Sequence, residues 1–402
     1  MISESLKFCR YTTGWRFLWI FLLLPVCLSA QLSVPDIHTR SIVVDLHSDV
    51  LLQVLRGADI SKKLTYGQVD LVRLREGGVD VQFFAIWPDP KKYLPDRMYH
   101  QSVYMISRLK TILAENPDKA ELALSVPDIE RIVAQGKLAA CIGVEGGTAI
   151  ENDLNKIDSL YQMGARYLGL TWNDSPPWAT SGEDEYKLKD GEPKGLTDFG
   201  RQVIRRMNDL GMIVDLSHSG EQTFRDVIET TRKPVIASHS DVYALRHHYR
   251  NLKDWQIREI AKNGGVIGMN FYPEFLDHSY TDAIDKALED GSARLDSMRQ
   301  VFGTDYLGYR AYRSNFIKSI IDTLPTVARV VDHMDYIIGL VGDDYVAIGS
   351  DFDGITIAPK GLEDVSQLPN LTREMIKRGY SDKRIEKILG GNFLRVMRAQ
   401  GN

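Results

Sequence analysis

Eight times along this chain an apolar, β-branched run ends in a polar residue and gives way to a helical stretch. The runs are Ser41–Asp49, Val79–Trp87, Leu138–Gly147, Ala165–Trp172, Gly211–His218, Pro234–Ser240, Gly264–Tyr272 and Tyr345–Gly354. Near-continuous apolar runs alternating with helical patterns specify parallel strands buried on both faces. One intervening helix is legible at 198–210: Phe199, Val203, Met207 and Leu210 recur at helical spacing, and Gly211 ends it. Eight strand–helix units predict a closed (β/α)8 barrel. An open doubly wound sheet is the alternative. It is disfavoured because polar, chemically able residues close most of the runs, and only a barrel brings all those ends to one mouth.

The polar residues form a pattern. The first run closes in Asp45-Leu46-His47-Ser48-Asp49, the third in Glu145, the fifth in His218 and the sixth in His239. Strand residues i and i+2 share a face, which directs His47 and Asp49 together into the mouth. Three imidazoles and two carboxylates are an N/O ligand set for one or two divalent ions, zinc first. Two such ions a few ångströms apart can hold a hydroxide and polarise a carbonyl. The eighth run ends in Asp351, a candidate to position water and move its proton, or else a further ligand or a cap. Arg250 lies just beyond the sixth run, where a guanidinium could bind a substrate carboxylate bidentately. His247 and His248 lie in a basic loop and His333 within a helical pattern, so all three read as structural. Cys141 sits in an apolar run and reads as a small buried hydrophobe.

Two segments depart from the barrel pattern. Asp277 to Thr323 is too long for a simple connection, and it reads as a helical insertion between the seventh and eighth strands, either a lid or a homodimer contact. Pro325–Gly339 then resumes as a barrel helix. At the N-terminus, Lys7, Arg10 and Arg16 precede the apolar run Phe17–Val26, followed by Ser29 and Ala30. That arrangement predicts a signal peptide over residues 1–30 and a single barrel domain over 31–402. The run is shorter than the ~20 apolar residues of a membrane-spanning helix. The expected location is therefore periplasmic or extracellular, with no transmembrane span in the mature form and lipid attachment at Cys27 as an alternative. With 44% hydrophobic residues, 26% charged and a net charge of −5, the chain suits a globular core and offers no basic stripe for nucleic acid.

The motifs resemble the membrane (renal) dipeptidases, peptidase family M19, from about Ser41 to Arg398. The resemblance is carried by DLHSD (45–49), GVEGG (143–147), ARYLGLTW (165–172), DLSHS (215–219), SHSD (238–241), RN (250–251), NFY (270–272), DHMDYI (332–337) and GSDFDG (349–354). It implies a two-zinc barrel cleaving small dipeptides. His47 and Asp49 would bind one ion, His218 and His239 the other, and Glu145 would bridge them. Asp351 would be the catalytic aspartate, and Arg250 would hold the C-terminal carboxylate. Mammalian members of that family carry a histidine after the Leu-Thr of the fourth strand. Trp172 stands there in this chain, with Asn173 beside it as a candidate substitute, and both become candidate substrate contacts. The absence of a GPI-type tail and of paired cysteines implies a bacterial exported form. The alternatives are another binuclear amidohydrolase, acting on lactones, cyclic amides or phosphotriesters, and a non-catalytic ligand-binding barrel. The first commonly bridges its metals with a lysine, which this chain lacks at the fourth run; the second would show lost ligands.

Overall fold

The structure, a computed structural model, describes residues 35–401 apart from Asp190, Pro193, 304–307, 310, 311, 314, 317, 318 and 320–323. The segment read as a signal peptide lies outside the described residues. Among the described residues there are nine parallel strands: β1 (Val44–Ser48), β2 (Val81–Ile86), β3 (Ala120–Leu122), β4 (Leu138–Val144), β5 (Ala165–Gly169), β6 (Ile213–Asp215), β7 (Ile236–Ala237), β8 (Val266–Met269) and β9 (Val346–Ile348). Eight of them close into a ring, β1–β2–β4–β5–β6–β7–β8–β9, with β9 pairing back to β1 through Asp45 and Ile348. The barrel is the (β/α)8 architecture that the eight runs predict. β3 is an addition with no counterpart among those runs. It pairs with Leu138–Ala140 of β4, below the point where β5 takes over at Ile142–Val144. Three residues of Ala-Glu-Leu are too few to display a period.

Every residue of β1, β2, β4 and β5 is buried. Alternation divides them between two cores. Phe84, Ala140 and Ile142 face the surrounding helices. Val44, Leu46, Phe83, Ala139, Cys141, Tyr167, Ile213 and Ile236 fill the barrel. Its floor is closed by the C-terminal helix Asn392–Ala399, whose Phe393 meets Phe83 edge-on at 5.0 Å. Cys141 is buried there, and burial pushes its thiol up to about 12. The helix Asp198–Leu210 begins where the Thr197 hydroxyl accepts from Gly200 N, and it ends at Gly211 with φ +81°. Val203 and Met207 are its buried stripe.

The insertion lies between β8 and β9, the seventh and eighth strands of the ring. It opens with a 25-residue helix, His278–Phe302. Its Tyr280 is buried against Ile357, in the segment leaving β9, with Phe316 and Leu324 packed on them. The barrel helix that follows is Val327–Val341. His333, buried within it, accepts from Val242 N at 3.1 Å and donates to the Leu276 carbonyl at 3.1 Å. Among the described residues, no helix is long and apolar enough to cross a membrane.

One packing event inside the barrel matters for the mouth. The Tyr167 ring crosses the lumen over Gly143, where an added Cβ would lie 1.9 Å from the ring. Gly143→Ala is therefore expected to displace Tyr167 and cost about 1–3 kcal/mol of stability, as overpacked cores do. A thermal melt checks this; an unchanged midpoint would show that the ring has room to move aside.

Candidate metal centre

Glu145 continues the inward alternation of β4 past residues 139, 141 and 143, and it stands on the barrel axis side of the mouth. Three imidazoles converge on it. His218 Nε2 lies 3.0 Å from Glu145 Oε1 and His239 Nε2 3.6 Å from the same oxygen, while His47 Nε2 lies 3.5 Å from Oε2. Asp49 Oδ2 is 3.5 Å from His47 Nε2, and Asp351 shares a ligand-sized cluster with His47 and Asp49. The five candidate ligands and the candidate catalytic aspartate thus meet in one place.

Local backbone features aim them. Leu46 faces the barrel core, so simple alternation would send His47 outward. The β1–β2 register shifts between Asp45 and Ser48, and His47 lies within that irregular stretch with its ring in the mouth. His47 and Asp49, two residues apart, come together at this register shift. His218 and Asp351 both adopt left-handed backbone, with φ +67° and +60°. Such strain in non-glycine residues persists only where surrounding contacts hold it. Asp351 N donates to the His47 carbonyl at 3.1 Å, and Asn270 Nδ2 donates to Asp351 Oδ2 at 2.9 Å. Gly354 allows Asp351 and Asp49 to approach, since an added Cβ would sit 2.3 Å from a carboxylate oxygen of each.

The outer nitrogens fix each imidazole. Tyr167 donates its hydroxyl to the Leu46 carbonyl at 3.0 Å, so it accepts from His47 Nδ1 at 3.0 Å. Asn173 Oδ1 can only accept, and it takes the His218 Nδ1 proton at 2.9 Å. Ser238 donates to Asp215 Oδ2 at 2.6 Å and accepts from His239 Nδ1 at 2.7 Å. Each ring therefore carries its proton on Nδ1, which leaves the Nε2 atoms to present lone pairs inward. His218 Nε2 and His239 Nε2 lie only 3.1 Å apart, and buried His47 Nε2 has no hydrogen-bond partner among the described residues. Nε2 atoms converging beside a carboxylate form a donor set that fits a bound cation.

Electrostatics keep two of the three rings neutral and favour the cation of the third. Burial, with Arg250 adding, lowers His218 to about 4, and burial together with His47 and Arg250 holds His239 well below its usual value. His47 goes the other way: burial opposes its cation, but Tyr167, Glu145 and Asp49 outweigh it. Burial disfavours the Glu145 anion, yet the imidazoles drive its carboxyl well below the usual range. Asp351 is raised to about 7 by burial, reinforced by Asp49 and Glu145 against the pull of His47.

Two buried carboxylates beneath the mouth brace this arrangement in the same way. Asp45 accepts from Ser350 N at 2.9 Å and Ser350 Oγ at 2.6 Å. Asp215 accepts from Ser238 N at 2.8 Å and Ser238 Oγ. Each clasp ties two strands of the ring and fixes the residue after the serine, Asp351 in one case and His239 in the other. Sequence reasoning passed over Asp45, Asp215, Ser238, Ser350, Asn270 and Tyr167. A usable signal existed: Asp-Leu precedes both His47 and Ser217-His218, and a serine precedes both His239 and Asp351.

The ligand cluster opens into a cavity of about 250 Å³ lined by Trp87, Trp172, Asn173, Tyr249, Arg250 and Phe275 among others. Arg250 is buried, its Nη2 donating to the His239 carbonyl at 3.3 Å and its guanidinium 5.4 Å from the Phe275 ring centre. Its Nε has no hydrogen-bond partner among the described residues. His248 accepts from Arg250 N at 3.2 Å, and His247 stacks on Tyr243; neither joins the Glu145 cluster. Trp172 is half-buried at the mouth, its ring 4.8 Å from that of Trp87.

The membrane dipeptidase model, peptidase family M19, matches residues 32–402. The chain belongs to this family. Its relatives include an uncharacterised dipeptidase of Schizosaccharomyces pombe, 32% identical over 91% of this chain and 82% of that one. Among solved structures, the probable dipeptidase PvdM of Pseudomonas aeruginosa superposes with a TM-score of 0.76 at 28% identity, covering 91% of this chain and 96% of the other. A Rhodobacter sphaeroides metallopeptidase, liganded with a phosphinate mimic of the dipeptide L-Ala-D-Ala, gives 0.72 at 26% identity over 90% and 99%. As a membrane dipeptidase family member the chain is a hydrolase of the metallo-dipeptidase class, and its Glu145 cluster is a candidate site for the metal.

Ser238→Ala removes the acceptor that holds His239 Nδ1. Metal affinity is expected to fall by about 10–100-fold, the usual effect of losing such a partner. Competition against a chromogenic chelator reads this directly. Parent-like affinity would remove Ser238 from the support of the site.

Proposed function

We propose that this membrane dipeptidase family member is a two-zinc enzyme that cleaves small dipeptides bearing a free C-terminal carboxylate. The observation that carries this is the convergence of three imidazole lone pairs on Glu145, in a cavity that also holds a buried guanidinium with an unpaired Nε. His47 and Asp49 would hold one ion and His218 and His239 the other, with Glu145 shared. When bound, the pair supplies an activated water and polarises the scissile carbonyl.

The chain's own side chains do the rest. Arg250 pairs with the substrate carboxylate and sets the peptide bond at the centre. Asp351, held by Asn270 and raised toward neutrality, takes a proton from the attacking water and passes it to the leaving nitrogen. Asn173 keeps the His218 tautomer and borders the substrate, and Trp172 with Trp87 walls the cavity and excludes water. The dipeptide mimic bound by the Rhodobacter relative supports a substrate of this size. The N-terminal reading supports an exported protein.

Elemental analysis of protein purified without chelator is expected to find two metal ions per chain. Dipeptides should be cleaved about 10–100-fold better than their C-terminal amides, since charged hydrogen bonds contribute roughly 1.5–3 kcal/mol, and Arg250→Ala should narrow that gap. Metal near zero, with no activity restored by zinc, manganese or cobalt, would sink the two-ion reading. Equal rates on acid and amide would move the site to a broader binuclear amidohydrolase.

Asp351→Asn is expected to lower turnover by about 10²–10⁴-fold, the range for lost acid–base groups, while retaining metal. If the variant loses its metal, Asp351 is a ligand.

A further inference from the structure

Beyond the Trp87–Trp172 pair lies a second cavity of about 530 Å³. Trp172 and Asn173 line both spaces, whereas Glu145 and Arg250 line only the first. A dipeptide anchored at Arg250, with its scissile bond at Glu145, has its C-terminal end fixed in the first cavity. The two spaces share Trp172 and Asn173, so the second cavity is the neighbouring space for the side chain of its N-terminal residue.

The charge of that second cavity is one-sided. Its lining includes Glu151, Asp174, Glu183 and Asp184 against a single cation, Lys91. Three of the carboxylates are engaged: Glu151 with Lys156, Glu183 with Lys187, and Asp184 with the Ser175 hydroxyl. Asp174 has no ion pair among the described residues. It is half-buried, and burial, with Asp184 and Glu145 adding, raises its carboxyl, an effect Lys91 partly offsets. A cation arriving beside it would meet a carboxyl group that has no ion-pair partner of its own among the described residues. Exposed Lys91 places its ammonium 5.6 Å over the Trp172 ring. The chain's own cation thus already rests on the aromatic wall next to Asp174. Tyr93, Pro95, Met98 and Pro177 complete the lining with apolar surface suited to a methylene stem.

We propose that Asp174 and the face of Trp172 form a subsite for a long cationic side chain on the substrate's N-terminal residue, a lysyl, ornithyl or arginyl group, which displaces Lys91 as it binds. The inference rests on the dipeptidase reading and adds a substrate class to it. The aromatic face supplies cation–π attraction and Asp174 supplies a charge partner. Lys91 competes for the same place, so it weakens the preference that Asp174 creates.

The test compares kcat/KM for lysyl-alanine and norleucyl-alanine, which differ only in the terminal ammonium of the side chain, on the metal-loaded full-length enzyme. The parent should favour the lysyl peptide by about ten-fold, the scale of one charged contact. Asp174→Asn should bring the ratio toward one, and Lys91→Met should raise it. A parent ratio near one, or a ratio that Asp174→Asn leaves unchanged, overturns the subsite while the dipeptidase reading stands. If Asp174→Asn does not fold, Lys91→Met decides, and a ratio it fails to raise overturns the subsite. Turnover of neither peptide, with metal loaded, removes the dipeptidase reading and the subsite together.

Discussion

Three imidazole lone pairs pressed against one buried carboxylate are untenable in a dry interior unless a positive charge lies among them. The contacts around Glu145 create this condition, and much of the barrel is arranged to hold it. His218 and His239 approach to 3.1 Å at Nε2 because Asn173 and Ser238 grip their Nδ1 atoms. His47 is set by Tyr167, which reaches across the lumen because Gly143 has no side chain to obstruct it. Remove any grip and a ring can rotate, present its N–H inward and lose its affinity for a cation.

The supports are themselves costly. Asp45 and Asp215 are buried carboxylates, and burial raises both. Each is tolerated because a serine hydroxyl and backbone amides surround it with donors. The arrangement clasps β1 to β9 and β6 to β7 just below the mouth, where strand pairing has thinned to single register positions. Strand ends that would otherwise splay are thereby fixed to the precision that metal ligands need. Stability and function share these residues at the mouth. The floor, filled by the C-terminal helix, serves packing alone.

The eight-strand barrel could be read from the sequence because buried parallel strands are apolar on both faces, and such runs need no knowledge of their neighbours. The polar residues at their ends were legible for a related reason: a histidine or carboxylate closing an apolar run is conspicuous. Smaller features were not. β3 is too short to show a period. The bulge in β1 is a property of its pairing with β2, invisible in Asp45–Asp49 alone. Tyr167 reads as one more aromatic in an apolar run, and only its neighbours Gly143, Leu46 and His47 reveal what its hydroxyl does.

The sequence by itself determined the fold class through the period of its apolar runs, the family through motifs such as DLHSD and GSDFDG, and the kinds of side chain available for chemistry, because such local patterns survive without coordinates. The tertiary structure alone decided which nitrogen of each imidazole faces inward, how Asp351 and Asp49 come together over Gly354, and that Trp172 divides two cavities. Those outcomes depend on hydrogen bonds and contacts between residues tens to hundreds of positions apart, such as Asp45 with Ser350. No local pattern encodes them, since each partner is unremarkable until the closing of the barrel sets it against the other.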